Sequence, residues 1–378
     1  MVNQKVMNNN LISGQKEIWE RLVKITNSGN IGSAYLFSGQ KGSGKEGLAI
    51  KFSQLLNCKK SKTEICYKCE SCIRFKSLQH ERLNIIVPLP TPKSGKTGDD
   101  KNFIPDDYVD SIKKKSIDIF YKILITKANR ILIQSIRDLK KILYLKQEND
   151  GGRNIVIIFD SELLCSGQGE SGNALLKILE EPPEFTTIIL VTDHKKLLFE
   201  TITSRCQEID IPTLPDDYIF NWLTQRDIKE KEVNFLISVC RGNVHQARAL
   251  SSQPIKKIIS TIEKLPTIFI NNNSSEWRWF TDYYSRLYIS NQLEFSYHLN
   301  LILLWFRNAV KIRQGMESDF HNTSLESHII SFNHKYPKAN IYAIILCIED
   351  VKKSASQNLY MPLILLNLIL DIQKYIHE

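Results

Sequence analysis

Three groups of residues in this chain have types and spacings that could do chemistry. The first lies in "SGQKGSGKEGLA", residues 38–49, where Gly39, Gly42, Gly44 and Lys45 fit a phosphate-binding loop. Glycine backbone amides and a following helix N-terminus can cradle β- and γ-phosphates, and Lys45 adds a cation. The pattern then calls for Ser or Thr, whose short neutral hydroxyl ligates Mg²⁺, but the chain supplies Glu46. A carboxylate about 5 Å from a phosphate charge costs about 3 kcal/mol at an effective dielectric near 20. A carboxylate can also ligate Mg²⁺ itself, so two readings of the loop follow: a degenerate cradle, or one that takes ATP with Glu46 on the metal.

The second group is acidic. The apolar run "IVIIFDSELL" ends in Asp160, followed by Ser161 and Glu162. Asp160 reads either as a metal contact or as a strand-end turn residue. In an extended segment Glu162 would turn to the opposite face, which argues against a base that polarises an attacking water. The third group is Cys58, Cys66, Cys69 and Cys72, spaced C-x7-C-x2-C-x2-C. Four thiolates can close a tetrahedral structural Zn²⁺ site. An iron–sulfur cluster is the alternative, although the Cys-Pro ending of such runs is missing. Cys165, Cys206, Cys240 and Cys347 are scattered and read as packing residues. Arg205, in "TITSRCQEIDIP", reads by itself as a surface ion-pair former.

These residues need a scaffold, and the first half of the chain predicts one. "AYLFSG" (34–39) runs into the Gly-rich loop, and the next segment carries Leu48, Phe52, Leu55 and Leu56 at helical spacing. "LNIIVPL" (83–89) is a second strand candidate, and "NIVIIFD" (154–160) and "TTIILVT" (186–192) are continuous apolar, β-branched runs, as strands covered on both faces tend to be. A helix over 129–147 places Ile133, Ile136, Leu139, Ile142 and Leu143 on one face. Alternating strands and helices predict an α/β fold with a parallel, doubly wound sheet. Residues 89–128 break the rhythm and read as a surface insertion with one helix near 107–120. Within it the run "KKK" at 113–115 reads as solvated surface.

After about residue 212 the strand signals stop, and the remainder reads as helical. Leu299, Leu303 and Phe306 fit a core or a helix–helix contact, with the core reading favoured. The 378 residues, 42% hydrophobic and 24% charged, suit a globular protein of two or three domains. The net charge of +9 permits acidic partners without requiring them. "LNLILLWF" (299–306) and "LILLNLIL" (363–370) are too short to span a bilayer and fit buried helices better. No signal-peptide core opens the chain, so a cytoplasmic location with reduced cysteines is expected.

In order, the Gly-rich loop, the four cysteines, "IRDLKKIL", "NALLKILEEPPE" (173–184), "TTIILVT" and "TSRC" (203–206) resemble the clamp-loader AAA+ subunits of bacterial DNA polymerase III. The resemblance covers roughly residues 11–250. It implies an AAA+ P-loop domain with a zinc module (58–72) over 1–212, a helical lid over 213–253 and an all-α collar over 254–378. The implied partners are other loader subunits (gamma/tau and delta), and through them the sliding clamp and primed DNA. The family has ATP-hydrolysing motor subunits and a related stator. Its Ser-Arg-Cys arginine reaches in trans into a neighbour's ATP site, as arginine fingers do, and that role falls on Arg205. Three departures from the motor pattern point to the stator: Glu46, the Asp160-Ser161 pair, and His245 where the lid carries a phosphate-sensing Arg, with Arg248 three residues on.

Overall fold

A computed structural model describes residues 11–91, 105–145, 152–226, 228–320, 322–354 and 360–377. The contacts divide the chain into two compact units, Met1–Trp222 with Gly242–His245, and Leu223–Arg241 with Gln246–Glu378.

The first unit opens with α1 (Lys16–Ser28), β1 (Ala34–Gly39), α2 (Lys45–Leu56), the short α3 (Glu70–Lys76) and β2 (Leu83–Ile86). There follow α4 (Asp106–Ile117), α5 (Ile133–Leu145), β3 (Asn154–Ile158), α6 (Glu170–Glu180), β4 (Thr186–Thr192), β5 (Gln207–Ile211) and α7 (Asp216–Thr224). Among the described residues the strands form one sheet in the order β2-β3-β4-β1-β5, with every pairing parallel. Alternation along each strand separates two cores. Leu36, Val156, Ile158, Ile188 and Leu190 pack with Ile136, Leu139 and Leu143 of α5 and Leu175 and Ile178 of α6. On the other face the rings of Tyr35 and Phe37 meet Phe52 of α2 at 5.4 and 6.2 Å. Ile142 of α5 is exposed, so the apolar stripe of that helix is narrower than its sequence suggests.

The strand β5 was not legible as one. "QEIDI" alternates, with only Ile209 and Ile211 buried, as an edge strand with one solvated face should. Its pairing explains the first glycine of the loop. Gly39 lies opposite Ile211, and a Cβ built on it would fall 2.2 Å from the Ile211 carbonyl oxygen at a φ of +155°.

The chain continues through α8 (Glu230–Cys240), α9 (Val244–Ser251), α10 (Ile255–Ile270), α11 (Ser274–Ser290), α12 (Gln292–Arg313), α13 (Thr323–Lys335), α14 (Ile341–Ser354) and α15 (Met361–His377). In the second unit α12 is the central helix, packed against α10, α11, α13 and α14. Leu299, Leu303 and Phe306 are buried in it, as favoured from the sequence. The run 363–370 is buried only in part. Leu365, Leu368 and Ile369 face inward, while Leu363, Leu366 and Leu370 are exposed, as are Tyr342 and Leu346 of the adjoining α14. No helix among the described residues is long and apolar enough to cross a membrane.

Because the Ile211 carbonyl belongs to a paired strand and cannot swing aside, Gly39→Ala is expected to destabilise the first unit by about 3 kcal/mol. Thermal denaturation of the variant beside the parent chain measures this.

Candidate functional site

In a parallel sheet all strand C-termini lie along one edge, and loops from neighbouring strands meet there. That edge gathers the Gly-rich loop after β1, Asp160 after β3 and Asp193 after β4. Gly44 caps α2 with a φ of +86°, and Lys45 is the first residue of the helix. The Lys45 side chain is buried, donates to the Gln40 carbonyl at 2.9 Å and is ion-paired with Asp193. Burial would raise the Asp193 carboxyl, but Lys45, Lys122 and Lys41 outweigh it and hold the group at about 2.

Glu46 points inward and is also buried. Two ammonium groups from the 89–128 stretch reach it. Lys115, at the end of α4 and 1% exposed, is ion-paired with Glu46 Oε2 and donates to the Tyr121 carbonyl at 2.7 Å. Lys122, 8% exposed, donates to Glu46 Oε1 at 2.6 Å and to Asp160 Oδ1 at 2.5 Å. Burial works against ionisation of Glu46, yet Lys115 and Lys122 together hold its carboxyl well below the usual carboxylate range. Burial likewise opposes the charge on Lys122, but Asp160, Glu46 and Asp193 raise it well above an ordinary lysine. Lys115 has one carboxylate for two burdens, and burial carries its ammonium below the ordinary range despite Glu46.

The 89–128 stretch is therefore not wholly a surface insertion. Lys113 and Lys114 are exposed, as the "KKK" run suggested, but Lys115, Ile119, Phe120, Lys122, Ile123 and Ile125 are buried. The Phe120 carbonyl accepts a hydrogen bond from His245 Nδ1 at 2.9 Å. A carbonyl can only accept, so Nδ1 carries the proton. Burial, opposed first by Glu46, lowers His245 to about 4 and keeps the imidazole neutral at physiological pH. Around Gly42, Gly44, Lys45, Glu46, Gly47, Lys115, Ile119, Phe120 and His245 a cavity of about 10 Å³ is left. Such a volume holds about one water. The residues present therefore do not fit a triphosphate with its Mg²⁺.

Glu162 departs from its expected placement. Asp160 has a φ of +48° and the chain turns into a short 3₁₀ segment, Ser161–Cys165, instead of staying extended. Glu162 is consequently buried and accepts from Thr192 Oγ1 at 2.7 Å. Burial first, then Asp160 and Asp193, raises its carboxyl to about 7.

The four cysteines do come together. Cys58 follows α2, Cys69 caps α3 and Cys72 lies within it; the four sulfurs all sit within 4.8 Å of one another. Sγ of Cys66 and Cys72 are 3.8 Å apart. A tetrahedral ion with arms of about 2.3 Å needs sulfurs about 3.8 Å apart, so the cluster can hold a metal ion. The Cys69 amide donates to Cys66 Sγ at 3.3 Å. Of the other cysteines, Cys240 is buried, while Cys165 and Cys206 are half-buried against the sheet core and Cys347 is half-buried in α14.

Arg205 sits between the short helical turn Glu200–Thr203 and β5. Its guanidinium is exposed, pairs with Glu180 at 2.9 Å and donates to the Thr201 carbonyl at 2.8 Å. Glu180 belongs to the "NALLKILEEPP" stretch, so the two most distinctive segments of the sequence touch here. Arg248 lies on α9 in the second unit. Sequence reasoning missed Lys115, Lys122 and Asp193. The signal available for the lysines was Glu46 itself, an acid in a position that demands compensation.

A family model described as "DNA polymerase III, delta subunit" matches residues 14–215. The chain is similar to the DNA polymerase III subunit delta′ of Bacillus subtilis, with 22% identity over 361 residues, covering 95% of this chain and 96% of that one. It is also similar to the DNA polymerase III subunit tau/gamma of Haemophilus influenzae, 27% identical over 251 residues, which are 65% of this chain and 30% of that protein. Among solved structures, a DNA polymerase III gamma subunit-related protein from Thermotoga maritima matches 95% of this chain and 99% of its own, with a TM-score of 0.39 and 16% identity.

The raised Glu162 carboxyl gives the first unit a pH signature. Its folded value of about 7 lies above the ordinary 4.5, so the folded state holds the extra proton between those values. This contribution to stability is complete below about 4.5 and lost as pH rises to about 7. Glu162→Gln has no such slope, and between pH 4.5 and 7 it should gain up to about 3 kcal/mol relative to the parent chain. Melting curves across that range test the sign.

Proposed function

The chain belongs to the DNA polymerase III delta-subunit family, and on that premise we propose that it is a delta′-like stator of the clamp loader. In this reading it helps place the sliding clamp on primed DNA and lends Arg205 to the ATP site of a neighbouring gamma/tau-type subunit, without hydrolysing ATP itself. The observation that carries it is a division of labour within one domain. The cradle interior is taken up by the chain's own Lys115 and Lys122, while Arg205 stays at the surface. Similarity to a delta′ subunit along nearly the whole of both chains supports the same reading, whereas the tau/gamma relative is matched over 30% of its length.

Each motor feature expected of the site is altered. The residue that would offer Mg²⁺ a hydroxyl is Glu46, tied to two lysines. Asp160 is held by Lys122 and followed by Ser161. His245, aligned with the lid sensor, is neutral and donates to the Phe120 carbonyl. What an arginine finger needs is a guanidinium at the surface, able to meet charge developing on a phosphate in another subunit. Arg205 meets that need and is already ordered by Glu180 and Thr201.

The helical remainder, 254–378, serves as the collar in this proposal, behind a lid over 213–253. Tyr342, Leu346, Leu363, Leu366 and Leu370 are exposed on the adjoining α14 and α15, the kind of apolar face that partner helices cover. Zn²⁺ is the ion proposed for Cys58, Cys66, Cys69 and Cys72. Four thiolates with no open position make a structural site, tying the end of α2 to α3. The working compartment is the cytoplasm, where these thiols stay reduced.

Two measurements test the proposal. In a loader reconstituted with its motor partner, Arg205→Ala should cut clamp- and DNA-stimulated ATP turnover about tenfold or more, since an arginine finger contributes 10³–10⁵ at its own site. The chain alone should turn over no ATP; turnover that Lys45→Ala abolishes would replace this reading with an active motor. Elemental analysis should find one zinc per chain, and Cys69→Ser or chelation under denaturing stress should lower the melting temperature of the first unit, because structural zinc contributes directly to folding.

A further inference from the structure

We propose that the segment from α4 through Lys122 is a built-in occupant of the cradle, with the Lys122 ammonium standing where a divalent cation would otherwise bridge residue 46 and Asp160. The loop that reads as a nucleotide site is then a closed structural joint, and the insertion is the part that closes it. This goes beyond the loader reading and stands whether or not Arg205 serves a neighbour.

Residue 46 and the acid after β3 are the two protein groups that a phosphate-binding fold offers to a metal. Here both are carboxylates, and one ammonium touches each of them, at 2.6 and 2.5 Å. A lone +1 ion between these two acids leaves one negative charge over, and Lys115 supplies the second cation. Lys45, which in an open cradle would face phosphate, is paired with Asp193. Three ammonium groups thus meet three carboxylates in the contacts just given. These three lysines are neutralised by their partners, so a polyanionic ligand finds no unpaired cation among them, while Lys41 of the same loop adds a further positive charge near Asp193.

The segment is also held by packing. A Cβ on Gly47, within α2, would fall 2.5 Å from Leu11 Cδ2 and 3.0 Å from Ile119 Cγ1, so Leu11 and the segment together leave room for a glycine there. A Cβ on Gly44 would fall 2.7 Å from Leu11 Cδ1 and make only ordinary contact, at 3.7 Å, with the Phe120 ring. The Phe120 ring also meets Trp222 edge-on at 6.2 Å and Tyr218 at 6.5 Å. Together with the His245 bond to its carbonyl, these contacts hold the segment from α2, from α7 and from the start of α9. A flexible lid would not need them all.

The test uses the full chain, its thermal melt and a fluorescent ATP analogue. In millimolar Mg²⁺·ATP the parent chain should not shift, whereas any tight ligand of the folded state raises the melting temperature. The parent should also be indifferent to millimolar Mn²⁺. Lys122→Ala should melt at least ~5 °C lower, as expected when a buried pair loses one partner. Mn²⁺ should restore at least half of that loss by taking the place of the ammonium between Glu46 and Asp160. Lys122→Met fills the same volume without charge and should be destabilised but not rescued. Analogue binding or a Mg²⁺·ATP shift in the parent chain would overturn the proposal, even if Lys122→Ala fails to fold. So would a Lys122→Ala chain that folds and ignores Mn²⁺.

Discussion

A buried carboxylate without a cation is among the costliest things a protein can contain, and Glu46 sets that constraint here. Once an acid occupies the first turn of α2 and points inward, the chain must bring positive charge to it. Lys115 and Lys122 meet the demand, and reaching Glu46 obliges α4 and the turn after it to lie over the loop. That turn then needs its own polar groups satisfied, which accounts for the Lys115 bond to the Tyr121 carbonyl and the His245 bond to Phe120. One substitution relative to the ordinary loop pattern thus organises a helix, a turn and a neutral histidine around it.

The glycines remain for reasons independent of phosphate. Gly39 is fixed by the approach of the Ile211 carbonyl, and a Cβ on Gly42 would fall 1.9 Å from Asn243 Oδ1. The loop geometry that suits backbone amides to an anion also suits close packing. Those steric requirements hold whatever residue stands at position 46, so the loop keeps its sequence signature around an interior that Glu46 and its lysines fill.

Much of the fold could be read from the sequence because its signals are local. Four strands announce themselves as short apolar runs, two of them rich in β-branched residues, and the C-x7-C-x2-C-x2-C spacing becomes a cluster of sulfurs within 4.8 Å. What escaped depended on partners far away in the chain. β5 is an edge with one wet face, so its pattern is weak. Lys115 sits in a run whose two other lysines are exposed, and only the position of Glu46, 69 residues earlier, distinguishes it. Glu162 was misplaced because the positive φ of Asp160 turns the chain where an extended continuation was assumed. Tertiary charge compensation and single-residue backbone reversals leave no periodic trace.

The Arg205–Glu180 pair has a kinetic side. An arginine side chain loses up to about 2 kcal/mol of rotamer freedom when it is fixed, and the bond to Thr201 and the contact with Glu180 have already imposed much of that loss in the single chain. Because the pair is solvent-exposed, exchanging Glu180 for another anion sacrifices less than about 1 kcal/mol. In the loader proposed above, docking on an anionic site would be a swap of counterions by a side chain that Glu180 and Thr201 already hold. Its speed should be governed by ionic strength more than by any search among rotamers.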